Sequence, residues 1–382
     1  MNLFSSAPLP VAVLDDAQRL ACLRLIRSDN VGPVTFRELI NHYGGAEAAL
    51  AALPELAARG GGKARIRITA RGDAERELER AARVGARPIF TIEPGYPPAL
   101  AAIDAPPPLV YVTGDTTLMP RPAVAIVGSR EASAAGHKLT RLFAHGLAAT
   151  GYVIVSGLAR GIDAIAHESG LATGTIAVVA GGVDIVYPPE NAALHRQITE
   201  RGAILSEMPP GFQPRGKDFP RRNRLIAGLS LGVLVMEAAK RSGTLVTARL
   251  AGEIGREVFA VPGHPLDPRA EGTNLLLKRG ATLVTTADDV IEALMPISGL
   301  APGAFAEPPA VSFTLPPPLP PPPLDDVDRA RVLAALGPAP CDLDALARAT
   351  GLAPRALGVV LMELDLAGRI VRHGSQLVSR TD

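Results

Sequence analysis

From residue 123 onward the hydrophobic positions fall into short unbroken runs: Val124–Val127, Val153–Val155, Ile176–Ala180, Ala203–Leu205, Val233–Met236 and Val258–Val261. Helix-length segments separate them. Continuous β-branched runs alternating with helices predict a mostly parallel sheet covered on both faces, a doubly wound α/β domain. The helix after the first run shows the expected period. Ser133 is placed to cap it, and Leu139, Leu142, Phe143 and Leu147 form one apolar stripe.

The pattern changes on both sides of this domain. Residues 15–85 carry helical periodicity over Ala17–Arg27, Thr35–Tyr43, Ala46–Leu53 and Asp73–Val84, with a tight turn at Asn30-Val31-Gly32-Pro33-Val34. Two helices joined through a Gly turn suit a helix-hairpin-helix module and a plain packing domain equally. Residues 88–115 read as a Pro-rich extended stretch ending in the strand-like Leu109–Val112. Near the C-terminus, helices are predicted over Asp326–Leu336, Leu343–Thr350 and Pro354–Ala367, then a hairpin over 368–378, which together make a winged helix. In its third helix Leu357, Val360, Leu361 and Leu364 are the buried face. Arg355, Glu363 and Asp365 fall on the exposed face, a poor composition for reading bases, so a partner protein fits there as well as DNA. The expected divisions are residues 1–87, 88–298, a Pro-rich tether at 299–324, and 325–382.

Composition narrows the class. With 47% hydrophobic and 20% charged residues the 382-residue chain is ordinary globular material, and its net charge of +1 gives no global reason to expect nucleic acid. Cys22 and Cys341 stand far apart and match neither a metal pattern nor a disulfide framework. With no basic leader and no apolar run of ~18 residues, the expectation is a cytoplasmic protein without a membrane segment.

In an open parallel sheet the ligand lies beyond the carboxyl ends of the strands. The unusual residues concentrate there: Gly128-Ser129-Arg130, then Gly157 with Arg160-Gly161, then Gly181-Gly182, then Lys240 and Ser242. Glycines at such positions let backbone N–H groups approach an oxyanion beside a helix N-terminus, although glycine also serves tight turns. The first loop lacks the later glycines of a dinucleotide fingerprint, and there is no P-loop Gly-Lys-Ser/Thr. Local positive charge appears at 214–228, where Arg215, Lys217, Arg221, Arg222 and Arg224 accompany Asn223 and an aromatic, Phe219. Basic groups with an aromatic among them suit a single-stranded nucleic acid, while a solvated charge run is the plainer account.

Taken together, Val127–Arg130, Ser156–His167, Gly181–Pro188, Phe219–Ile226, Glu237-Ala238 with Ser242–Leu245, Val261–Gly263 and Gly272–Asn274 resemble the DNA-processing protein A family (DprA, also called Smf) over residues 95–285. The resemblance implies an extended Rossmann fold. It further implies a homodimer that binds single-stranded DNA and helps load the RecA recombinase in natural transformation, with single-strand-binding protein a further candidate partner. It marks Arg130 and Lys217 as phosphate-binding, Phe219 as a base contact, and Arg222-Asn223 as lining the same groove. A binding protein of this kind needs no metal, cofactor or catalytic group, and His167 and His264 lack a His partner at metal-ligand spacing.

The competing reading is an enzyme that hydrolyses the glycosidic bond of nucleoside monophosphates, with Asp163, Asp184, Glu207 and Glu237 as candidate carboxylates. The Pro-Gly-Gly-x-Gly-Thr stretch of that group is missing.

Overall fold

The computed structural model describes residues 11–61, 66–298 and 325–381; the Pro-rich tether lies outside them. The chain opens with four helices, α1 (Asp16–Arg27), α2 (Pro33–Tyr43), α3 (Ala46–Arg59) and α4 (Arg71–Arg83). Asp15 and Gln18 close a reciprocal capping box on α1, and Pro33 starts α2, where its missing N–H costs nothing. Helix α3 continues beyond the expected stop at Leu53 and carries Pro54 inside it. Pro54 faces solvent, while Leu56 and Ala57 extend the buried stripe for another turn.

The central sheet follows. Its strands are β1 (Arg87–Phe90), β2 (Leu109–Gly114) after a short helix α5 (Pro98–Ala101), and β3 (Ala123–Val127). Next come α6 (Ala134–Ala149), β4 (Val153–Ser156), α7 (Ile162–Gly170), β5 (Thr175–Val178), α8 (Ala192–Arg201) and β6 (Ala203–Ser206). The second half contains α9 (Asp218–Leu229), β7 (Gly232–Val235), α10 (Thr244–Glu253), β8 (Glu257–Ala260), α11 (Glu271–Lys278), β9 (Thr282–Leu283) and α12 (Ala287–Ser298). The strand order is β1-β2-β6-β5-β4-β3-β7-β8-β9. All pairs from β6 to β9 are parallel; β1 and β2 add an antiparallel edge. Strand β1 and helix α5 replace the uniformly extended stretch expected over 88–115. In α6, Ser133 caps as expected, but Leu142 stands 57% exposed. The buried stripe runs through Thr140, Phe143, Ala144 and Leu147 instead.

The last module has α13 (Asp326–Ala335), β10 (Cys341–Asp342), α14 (Leu343–Thr350), α15 (Pro354–Leu366), β11 (Ile370–His373) and β12 (Leu377–Arg380), a winged helix with its own apolar core. It does not stand apart. Met362 and Leu366 of α15 join the core of α1–α4, Asn30 Nδ2 donates to Leu366 O at 3.0 Å, and Thr35 Oγ1 donates to Asp365 at 2.5 Å. Arg372 pairs with Glu38 at 2.8 Å. Gly60 permits the closest approach, since a Cβ there would come 2.1 Å from Glu363 O.

This seam corrects the expectation that Glu363 and Asp365 face solvent. Glu363 is fully buried and held by Arg329 at 2.8 Å, and Asp365 is turned to Thr35 and Arg372. The residues look surface-exposed along the helix because their cover comes from another module more than 300 positions away in the chain.

Candidate functional site

The chain builds β3 to β6 on one side of β3 and then returns to lay β7 to β9 on the other. That reversal puts the topological switch point between β3 and β7, where open α/β sheets form their ligand crevice. The loops around it interlock. Gly161 adopts φ +74°, and a Cβ there would stand 2.3 Å from Ser129 O. Ile162 N donates to that same oxygen at 3.1 Å, so the loop after β4 is fastened to the loop after β3. Across the switch point Thr244 Oγ1 donates to Gly128 O at 3.1 Å, and Ser133 N to Glu237 at 3.0 Å. Arg130, Arg160 and Lys240 are exposed around this edge; Arg160 is only loosely paired, with Glu190 at 3.9 Å. Ser242 is spent locally, accepting from Thr244 N at 3.2 Å.

The basic segment is more ordered than its Gly and Pro suggest. Phe219 and Pro220 lie in the first turn of α9, where Pro is tolerated, and Asp218 accepts from Arg215 N at 2.8 Å. Helical spacing then divides the cations. Arg221 and Arg224, three apart, share a face and both pair with the buried carboxylate of Glu207, Arg221 at 2.6 Å. Arg224 also donates to Ala105 O at 3.3 Å. Their charge is largely neutralised, whereas Arg215 and Lys217 stay exposed and Asn223 is half-buried.

Arg222 points the other way, beneath the loop after β4. A Cβ on Gly157 would lie 1.6 Å from its Nη1 and 2.8 Å from Asp163 Oδ2, so the glycine makes room for the guanidinium to face that carboxylate. Arg222 is only 7% exposed, and its cation sits 5.9 Å from the Phe219 ring centroid. Among the described residues none accepts a hydrogen bond from it, and its buried Nε is unpartnered. Burial, with the positive charge of Arg130 acting in the same direction, pushes its pKa down to about 10 against the pull of Asp163. Burial also raises Asp163, against the pull of Arg222 and of donors that include Ala159 N at 3.2 Å. A buried guanidinium with unspent donors, within electrostatic reach of the Arg130 cation, is an arrangement that calls for an anion.

Other sequence candidates are placed differently. Gly181 and Gly182 are buried beneath residues 209–214: Gly182 N already donates to Phe212 O at 2.9 Å, and a Cβ on Gly181 would meet Phe212 O at 2.9 Å. The Gly182 N–H is thus engaged within the protein, and both glycines make room for a loop crossing that no local motif announces. Asp184 accepts from Gly211 N at 2.8 Å, and Glu237 from Ser133. His167 is buried with Nδ1 at 2.7 Å from Thr175 Oγ1; His264 is exposed. Among the described residues no three His, Cys, Asp or Glu side chains gather as metal ligands, and no single helix is long and apolar enough to cross a membrane. Tyr187, within the Gly181–Pro188 stretch of the family resemblance, packs at a tilt against Phe219 with ring centroids 5.3 Å apart.

The sheet, its loops and α9 together match the family model described as DNA recombination-mediator protein A over residues 87–295. The chain belongs to this family. Residues 16–82 match the DprA-like N-terminal helix-hairpin-helix domain, and 316–376 the DprA winged helix domain. Among DprA relatives, Protein Smf of Escherichia coli is 41% identical over 282 residues, 72% of each chain. DNA processing protein DprA of Streptococcus pneumoniae is 45% identical over 207 residues, 53% of this chain and 73% of that one. The X-ray structure of the Streptococcus pneumoniae DprA superposes with a TM-score of 0.61 at 34% identity, covering 73% of this chain and 98% of that one. DprA from Helicobacter pylori, whose structure describes a single-stranded DNA binding mode, superposes with a TM-score of 0.51 at 34% identity over 55% of this chain and 96% of that one.

Proposed function

We propose that this protein binds single-stranded DNA at the edge formed by the loops after β3 and β4 and the first turns of α9. Arg222 carries the reading: its unspent donors, held beneath Gly157 and reinforced by the nearby Arg130 charge, are a receptor for a backbone phosphate. Exposed Arg130, Arg160 and Lys217 extend the positive rim, with Gly128, Ser129, Gly161 and Asn223 shaping it and Lys240 at its margin. Half-buried Phe219 is the candidate base contact on this edge. The Helicobacter pylori relative supports the ligand class.

The protein acts in this reading as a homodimeric binder that protects incoming DNA and loads RecA, alone or with single-strand-binding protein, and not as a hydrolase. All four candidate carboxylates of the enzyme reading are engaged: Glu207 by two arginines, Glu237 by Ser133, Asp184 by Gly211, and Asp163 by Ala159 with Arg222 opposite. Fluorescence anisotropy of a labelled oligothymidine against a duplex, titrated over several salt concentrations, tests the proposal. Tighter single-strand binding whose log K falls by ~0.7 per phosphate neutralised supports it. Binding of neither form at low salt sinks it and makes nucleoside monophosphates the ligands to try.

A further inference from the structure

We infer that Tyr187, packed beside Phe219, is a stacking platform for an unpaired base next to the phosphate receptor at Arg222. The inference rests on the single-strand reading above and adds to it a residue on a different loop. The two rings lie 5.3 Å apart, tilted by 52°, and Phe219 in turn contacts the Arg222 cation. The column therefore runs from a guanidinium seeking an anion to an aromatic face open to solvent, the two features a single nucleotide presents together.

A ring that only capped Phe219 would be covered in its turn. Tyr187 is 48% exposed, and among the described residues nothing hydrogen-bonds its hydroxyl. Exposed aromatic surface without a hydroxyl partner is left available for contact. The segment carrying it is nonetheless fixed. Asn191 Nδ2 donates to Leu158 O at 3.0 Å and to Ala159 O at 3.1 Å, which ties residues 187–191 to the loop that houses Arg222. A ring carried on an anchored segment and packed against Phe219 loses less freedom when a base settles on it. Stacking requires a π face and no particular edge, so the platform suits single strands of any sequence.

The chain provides its own reporter. It has no tryptophan and five tyrosines, of which Tyr96, Tyr111 and Tyr152 are buried and Tyr43 is half-buried. Tyrosine emission of the full chain is recorded while oligothymidine is added, for the wild type, Tyr187→Phe and Tyr187→Ala. Affinities for oligothymidine and for an abasic deoxyribose-phosphate oligomer are measured alongside. The expected result is quenching in the wild type that disappears in Tyr187→Phe, with that variant's affinity within about twofold. Tyr187→Ala loses roughly 5- to 150-fold on oligothymidine and binds the abasic oligomer like the wild type. Wild-type binding of oligothymidine with Tyr187→Ala unaffected overturns the platform, as does an equal loss on both oligomers, the mark of a structural role. Failure of the wild type to bind either oligomer overturns the single-strand reading itself, and the platform with it.

Discussion

Arg222 occupies the space beside Gly157 that the side chain of any other residue there would fill: the two are so close that a Cβ on the glycine would stand 1.6 Å from Nη1. Gly157→Ala therefore forces the guanidinium out of its niche opposite Asp163. The variant is expected to lose about 1–3 kcal/mol of stability, as overpacked cores do, read from the urea midpoint at constant m-value. DNA affinity should fall with it, and an unaltered affinity would remove Arg222 from the phosphate receptor.

The exposed cations should behave otherwise. Arg130→Ala and Lys217→Ala are expected to weaken binding to the same degree on oligothymidine and mixed-sequence oligomers, because phosphate contacts position without specifying. Each should flatten the dependence of log K on log salt by about 0.7. Strong sequence dependence in either variant would count against backbone contact.

His167 gives a pH dependence whose sign can be worked out. Thr175 Oγ1 donates to Ile154 O, so His167 Nδ1 carries the proton that it shares with Thr175, and the neutral ring fits the core. Burial, and behind it the Arg222 charge, push its pKa down to about 3. The unfolded chain takes up a proton near the ordinary value of 6.5, whereas the folded chain does not until about 3. Stability from this group is thus complete above pH 6.5 and drains away as the pH falls toward 3. His167→Asn should flatten the slope of unfolding free energy against pH across that window; an unchanged slope would show that other groups set it.

The seam between the first and last modules has its own probe in Gly60. Its φ is −68°, so alanine strains nothing locally, and the clash falls wholly on α15. Gly60→Ala should lift the winged helix from α3, enlarge the radius of gyration in small-angle scattering, and expose Met362 and Leu366 to a hydrophobic dye. Unchanged scattering would mean that the helices slide to accommodate the methyl.

The doubly wound core was legible because runs such as Val124–Val127 and Val153–Val155 have the period of buried parallel strands whatever surrounds them. Gly128 and Gly161 were legible as special, and their role in lacing two loops became visible only with the neighbour in place. The basic segment shows the opposite. Five cations can be counted in the sequence, but Glu207, which absorbs two of them, comes from the end of β6. Tyr187 and Phe219 are 32 positions apart and meet because separate loops converge on one sheet edge. Glu363 was misread for the same reason, since its cover is distant along the chain.

That distant cover also sets what the intervening chain has to do. Asn30 and Leu366 touch although 336 positions separate them, so the molecule is closed head to tail by a contact and not by its covalent path. Residues 299–324 then need only reach from one anchored end to the other. Where the winged helix sits is then decided by the contact, to which each buried methylene contributes about 0.8 kcal/mol. The address of the winged helix is thus written in Gly60, Glu38 and Arg372.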